Sequence, residues 1–479
     1  MKVFLAGVIA GICCSPAFPQ EWIEPGSLRS NGPPVQVTAL FVAELTAAAR
    51  SNSPALRAAD ARFRSGEADA AALRTWDDPV LSLGGAVGRK RTEDLVFETM
   101  SSAGPAYHSA RLEMGFNASE EGDLIYGLEQ KLPLFGKAKR ARAWKLAEAE
   151  ALGTRSDAAF QEIRKQAAVL IFAIALSDRI SSIDGEEQSW LERQIEVAQE
   201  RLRAGSGGLA EINKLRSEKD QWEQRRRVEM QRGDQLRSEL NRRLGRSVGA
   251  PFPELRLPEL WPALRDHRRL LNLALRDDPR ILMSRSESVA ALARVEATRR
   301  SRRPDVALGI EGRQFSGDGT FREGMFTASM NIPWFNRARY EKDFARDAAL
   351  AEAAELQIRQ SELEVEAEIT KLTRGIDAAR REAQLSREIL LPRGQQSVDS
   401  ARSAWISGAG NLAMVLESRR MLFEALRMEA RGVSEQWTLL SELALCCGVG
   451  DLEALAMIEE GKTPPLVLER EGTKKETKP

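Results

Sequence analysis

Two histidines and four cysteines are all that this 479-residue chain offers for soft-metal or thiol chemistry. His108 stands in a strand-like stretch, and His267 follows a proline-rich segment. Cys13 and Cys14 are neighbours, as are Cys446 and Cys447. Adjacent cysteines rarely pair with each other, and this spacing supplies no zinc ligand set. The chain has no phosphate-binding Gly-Lys-Ser/Thr loop, no His-Glu-x-x-His and no nucleophile elbow. No catalytic, cofactor-binding or metal-binding residue is assigned, and the chain reads as a non-enzyme. Its charge is balanced, with 70 basic and 70 acidic residues, which gives no electrostatic footprint for nucleic acid. Arginine runs such as Arg225-Arg226-Arg227 sit among acids and read as solvated helix faces. The chemistry left is that of charge on long helices, so the elements that carry those charges come next.

The chain is organised around Lys131-Leu132-Pro133-Leu134-Phe135-Gly136-Lys137, where a glycine-rich alternating segment meets a long charged helix. The joint recurs at Asn331-Ile332-Pro333-Trp334-Phe335-Asn336-Arg337. Proline lacks an N–H and suits a strand end or a first helical turn. Other markers recur in register. Asn52-Ser53-Pro54 matches Asp277-Asp278-Pro279, and Asp77-Asp78-Pro79 matches the stretch around Pro304, both 225 residues on. The proline joints are 200 residues apart, and Leu209 precedes Leu412 by 203. Four markers in one order indicate a tandem duplication with an insertion between Pro79 and Pro133 in the first copy.

Taken in order, residues 1–17 read as a signal peptide: a charged start, a short apolar run and small residues. That run is too short to span a membrane as a helix, and no other segment is expected to. Ile12 before Cys13, and Cys13 before Cys14, argue for plain cleavage over lipidation. An extended arm follows at 18–36, then the first repeat at 37–248 with strands about 80–132, a linker at 249–262, the second repeat at 263–448 with strands about 305–332, and a tail at 449–479. Period-two alternation marks the strands at Val80 to Gly88, Ala110 to Phe116, Asp123 to Leu128, Asp305 to Gly312 and Met325 to Met330. Asp318-Gly319 reads as a hairpin turn. After each joint the helix is long, with seams Leu191, Ile195, Ala198, Leu202 and Val365, Ile369, Leu372, Ile376. A kink is expected at Leu391-Pro392. Glycine clusters at Gly205 to Gly208 and Gly408 to Gly410 end these helices and start return helices at Leu209 and Leu412.

Lengths constrain the topology. A helix from Gly136 to Arg203 is about 100 Å long. Each long helix can therefore lie antiparallel to two short helices placed end to end. The sequence thus predicts a rod with hairpins at one end and glycine turns at the other. Four strands cannot close a barrel, and an open sheet edge is not tolerated in lipid. Three copies give about twelve strands, wide enough for a lumen.

The paired joints, the duplicated hairpin–helix unit and the glycine turns resemble the TolC family of outer-membrane efflux proteins, over about Val37 to Gly448. The resemblance implies a mainly α fold with a small β part. It implies a homotrimeric twelve-stranded barrel in the outer membrane, continued by a periplasmic coiled-coil barrel. The chain would be a passive exit duct of a tripartite efflux or type I secretion system, docked on a periplasmic adaptor and an inner-membrane pump. The Leu-Pro-Leu-Phe-Gly-Lys joint is similar to the branch paired with resistance-nodulation-division pumps. Pro133, Gly136, Pro333 and Asn336 are then the barrel-to-helix hinges, and Gly205, Leu209, Gly408 and Leu412 form the periplasmic tip that docks the adaptor. Glu211 and Glu417 stand where the family places acidic tip residues, with Met414 at a position that is often acidic. A gate is expected from Glu211, Arg216, Glu417, Arg419 and Arg420, because three like charges around one axis repel unless paired. Only Tyr107, Tyr126 and Tyr340 are tyrosines, which makes an interfacial aromatic girdle look sparse, and Lys90 to Glu98 makes the first hairpin unusually polar. The other reading of these residues is a soluble coiled-coil scaffold whose glycine stretches are loops.

Overall fold

The computed structural model describes residues 34–73, 76–87, 122–205, 207–315, 319–449 and 455. The signal peptide, nearly all of the arm, the strand at 110–116, the polar stretch at 90–98, Tyr107, His108, Ser206, Asp318 and almost all of the tail lie outside the described residues. The chain divides into two compact units. One comprises residues up to 63 with 152–285 and everything from 357; the other comprises 64–151 with 286–356.

Among its described residues the first unit is helical, apart from an irregular stretch at 245–266 and one short parallel pair, β1 (Val35–Gln36) on β4 (Leu255–Arg256). Helix α1 (Ala39–Asn52) starts where Thr38 accepts the Phe41 N–H at 3.2 Å, an N-cap that satisfies an otherwise orphan donor. Ser53 separates it from α2 (Pro54–Ala72), which opens on a proline. The same joint recurs where Asp278 separates α5 (His267–Asp277) from α6 (Pro279–Ser301). Asp278 is buried and accepts the Arg280 N–H at 2.8 Å. The stretch from Leu264 to Arg302 therefore holds two helices, for the reason Asn52-Ser53-Pro54 already breaks its counterpart. The core gathers Leu45, Phe172, Leu240, Leu270, Ile376 and Leu440.

Helix α3 (Lys137–Arg203) is 67 residues long, and α4 (Leu209–Leu244) returns beside it. Val365, Ile369, Leu372 and Ile376 are all buried, as the 3–4 stepping requires. In the other seam Leu191 and Ala198 are buried, Ile195 is partly so and Leu202 is exposed. Helix α7 (Arg337–Leu385) passes through one π turn at Ser386–Leu390 into α8 (Leu391–Ile406). Pro392 explains the irregularity, since it cannot donate to the residue four before it. Ser386 secures the widened turn by donating to the Ala425 carbonyl at 2.6 Å on α9 (Leu412–Cys446).

Contrary to expectation, α3 with the turn before it contains an 18-residue window long and apolar enough to cross a membrane. Half of that window is buried within the chain. Its apolar residues Ala167, Ile171, Phe172 and Ala175 belong to the core. Burial against other helices demands the same side chains as lipid does, which accounts for the composition.

The second unit holds a four-stranded antiparallel sheet in the order β2 (Val80–Val87), β3 (Gly122–Leu132), β5 (Val306–Phe315), β6 (Phe321–Met330). Each repeat contributes one hairpin, and the two meet at β3–β5, where Leu132 pairs with Val306. Strands β2 and β6 are the edges of this sheet. Beside it, α6 and α7 are tied through buried Asp347, which accepts from Thr298 at 2.6 Å and Arg346 at 2.9 Å.

Candidate functional site

Within the second unit the register decides what the sheet can do. Residues directly opposite in an antiparallel pair share a face, and side chains alternate between faces along each strand. Leu81, Leu128, Ile310 and Phe326 form one row across the four strands. Leu83 and Tyr126 lie two residues further along the same face, with Leu308 two residues back. All seven are exposed, Phe326 to 85%. The opposite face carries Ser82, Gly127, Glu129, Glu311, Thr327 and Ser329, with Val80, Ile125 and Met325 among them. There Ser329 donates to Glu129 at 3.2 Å, and Arg313 stands 3.9 Å from Glu323. A sheet with an exposed apolar face and a polar one, and with two edges, is suited to a solvent that is apolar on one side only.

The joints are not built alike. Strand β3 ends at Leu132, and Pro133 leads into a 3₁₀ turn, Leu134–Gly136. Phe135 has φ 60° and Gly136 φ 70°, two consecutive left-handed residues before α3. Phe135 is the one non-glycine with positive φ among the described residues, a conformation that costs an L-residue about 1–2 kcal/mol. The second joint turns at Pro333–Asn336 with its proline buried and without a positive φ at Asn336. Sequence equivalence thus hides two backbone solutions. Lys137 at the start of α3 pairs with Asp305 at 2.7 Å, and Asn331 donates to the same carboxylate at 3.1 Å, fastening both joints to the start of β5.

This end of the sheet also collects aromatic residues that tyrosine counting misses. Trp76 before β2, Phe135 after β3, and Trp334 and Phe335 after β6 are all exposed. Their common position follows from the pairing of Val80 with Glu129 and of Val306 with both Leu132 and Met330. The signal was in the sequence: an aromatic within a few residues of three strand ends.

In the first unit, Gly205 (φ 74°) and Gly408 (φ 80°) take the left-handed geometry that ends a helix. Gly205 N–H donates to the Leu202 carbonyl, and Gly408 N–H to the Trp405 carbonyl, both at 3.1 Å. Helix α9 is capped by Asn411, which accepts the Met414 N–H at 2.9 Å, whereas α4 starts from Gly208 without a side-chain cap. The two leucines that follow also differ. Leu209 is exposed and Leu412 is buried, packed with Trp405, Val415 and Leu416. Exposed Leu202, Ile406 and Met414 lie close to the turns in sequence.

The charged residues around the turns are sorted by the fold. Arg216 and Glu417 are exposed, while one carboxylate oxygen of Glu211 is buried without a hydrogen-bond partner. Arg419 and Arg420 are engaged within the chain: Arg419 donates to Glu187 on α3 at 2.9 Å, and Arg420 donates to Glu218 on α4. Two turns on, Arg427 donates to Asp184 at 2.5 Å. Within the chain the arginines are thus brought together with three carboxylates that sequence reasoning missed, and not with Glu211 or Glu417. The missed signal is periodic. Asp184 and Glu187 fall on the stripe Ile183, Trp190, Leu191, so carboxylates occupy buried helical positions. Burial pushes the Glu187 carboxyl up to about 7, against the pull of Arg419. Among the described residues no group of three or more His, Cys, Asp or Glu is placed to hold a metal ion.

The model of a family described as outer membrane efflux protein matches residues 45–242 and 270–447, one segment in each repeat. No curated protein matches the sequence significantly. Several solved structures share the fold. The outer membrane protein VceC of Vibrio cholerae matches with a TM-score of 0.68 at 18% identity, over 86% of this chain and 97% of that one. The CmeC outer membrane channel of Campylobacter jejuni matches with a TM-score of 0.69 at 12% identity, over 89% of each. CusC, whose structures concern folding and transmembrane channel formation, matches with a TM-score of 0.62 at 18% identity, over 91% of this chain and 98% of that one.

Proposed function

The chain belongs to the outer membrane efflux protein family, and from that premise we propose that it is the passive exit duct of a tripartite efflux or secretion system. The observation that carries this reading is the four-stranded sheet with one exposed apolar face and two edge strands. In lipid every backbone polar group must be satisfied internally, so the edges require partners. Pairing β2 of one copy with β6 of the next closes twelve strands from three copies. The apolar row through Leu81, Leu128, Ile310 and Phe326 then meets lipid, and the face that carries Glu129 and Glu311 lines the lumen. Trp76, Phe135, Trp334 and Phe335 form the aromatic belt at one membrane surface, where amphipathic rings are favoured. Pro133, Gly136, Pro333 and Asn336 are the hinges between membrane strands and periplasmic helices.

The Gly205 and Gly408 turns are the periplasmic tip. Exposed Leu209 offers the adaptor an apolar contact, and buried Leu412 holds the second turn in shape. At the tip, Glu211, Arg216 and Glu417 remain for ion pairs between copies, because Arg419 and Arg420 already serve Glu187 and Glu218. Exposed pairs of this kind contribute about 0–1 kcal/mol each, so closure needs several of them.

Cell fractionation combined with photocrosslinking tests this reading. The expected result is a heat-modifiable trimer in the outer-membrane fraction, with crosslinks from a probe at Ala409 to an adaptor. A monomer or dimer in the soluble fraction overturns the duct and favours the scaffold. Crosslinks confined to strand-proximal positions overturn tip docking.

A further inference from the structure

Between α3, α4 and α9 lies a layer of charge that duct formation does not call for. Asp184, Glu187 and Glu218 are all buried, at 1%, 2% and 8% exposure. Facing them on α9 are Arg427, Arg419 and Arg420, one arginine to each carboxylate. Aromatic rings complete the layer. The Arg419 guanidinium lies 4.9 Å from the Trp190 ring centre and 4.6 Å from that of Phe423, and Arg427 lies 5.0 Å from Trp222. A fully ionised ion-pair layer is a poor way to fasten helices, because the desolvation cost rivals the Coulombic gain.

Glu187 is the group through which this layer can change charge. The charged groups that act on it are Asp184 on its own helix, Glu218 on α4 and Arg419 on α9. Arg420 and Arg427 are tied to the other two carboxylates, and α8 contributes Ala401 and Trp405 to the apolar cluster beside them. Two like charges and loss of water therefore oppose one arginine. If Glu187 takes up a proton, its carbonyl oxygen still accepts from Arg419, and the Trp190 and Phe423 rings still receive the guanidinium charge. Protonation leaves three arginines to two carboxylates, a single positive charge held against the rings, and removes the desolvation cost of one buried anion.

We propose that this layer is an acid-tightened clasp: proton uptake on Glu187 tightens the packing of α9 against α3 and α4, and proton loss loosens it. The sign follows from linkage. Burial raises the Glu187 carboxyl from 4.5 to about 7, so the packed state binds the proton more tightly than any state in which water reaches the side chain. The stabilisation is complete below the solvated value and is lost as pH rises through the packed one. Helix α9 starts at the Gly408 turn, so a looser clasp frees that turn. On the duct reading the tip would then open more readily at neutral pH than in acid, but the clasp itself needs only one chain.

Hydrogen exchange of the full-length protein in detergent, corrected for intrinsic exchange at each pH, tests the clasp whether or not the protein proves to be a duct. Protection of segments 183–191 and 415–427 is expected to fall about tenfold or more between about pH 5 and pH 8, since each unit of differential proton affinity is worth tenfold. The core segment 365–376 should keep its protection. Glu187→Gln, which mimics the protonated form, should hold both segments protected across the range, and Glu187→Asp should restore the slope. A parent protein with no slope, a slope shared equally by 365–376, or a slope that persists in Glu187→Gln would each overturn the proposal.

Discussion

At Arg419 two readings of one residue meet. Its place in the series Leu412, Val415, Arg419, Leu422 marks a polar residue on a heptad seam, and the structure gives that residue a buried partner in Glu187. Heptad spacing is legible along one helix, but the partner lies 232 residues away on another, where no local pattern points to it. This is why the basic half of the charged site was legible and its acidic half was not. It also separates residues that keep one chain together from those left to act between copies. Glu417 is exposed, and Glu211 buries an oxygen that has no hydrogen-bond partner. Removing them should leave the chain folded and change only closure. Planar-bilayer recordings of Glu211→Ala/Glu417→Ala are expected to show more frequent opening and weaker preference for cations, since a ring of carboxylates favours cations in a pore. Conductance and selectivity equal to the parent's would remove both residues from the gate.

At the scale of elements, the joints were the most legible feature and the most misleading. Proline placed both strand-to-helix transitions correctly to within a residue or two, because it is compatible with few backbone positions. Similarity of residue type, however, could not reveal that Phe135-Gly136 runs left-handed while Phe335-Asn336 does not. Chirality makes the difference testable. Gly136→Ala keeps the φ of 70° only at a cost of about 1–2 kcal/mol, and nothing lies within 4 Å of the added carbon, so the penalty is conformational and not steric. Asn336→Ala carries no such penalty. The Pro133→Ala/Pro333→Ala variant should let helix spread toward the strands. Dissociation temperatures of the trimer on electrophoresis are expected to fall for Gly136→Ala and for the double proline variant, and to hold for Asn336→Ala. Unchanged heat resistance throughout would mean that the joints do not limit stability.

For the whole molecule, duplication was readable because prolines and glycines recur at fixed offsets and tolerate few replacements. The helices were readable because their burial is periodic. The apolar window of α3 shows no clean stripe in the sequence, since apolar residues there extend beyond the half that is buried. The aromatic residues at the end of the sheet are tryptophan and phenylalanine, which a count of tyrosines does not register. What a single chain leaves open is the pair of sheet edges, and the central claim is that copies of the chain close them onto one another. Cysteine scanning across the edges measures this directly. In a background lacking the native cysteines, single cysteines at Ser82, Leu83 or Gly84 on β2 would be combined with single cysteines at Thr327, Ala328 or Ser329 on β6, and the purified proteins oxidised. The account predicts covalent trimers for the pairs in register and none for pairs one residue out of register, whose side chains point to opposite faces. Chains that remain monomeric for every pair, or that link only into dimers, would contradict it.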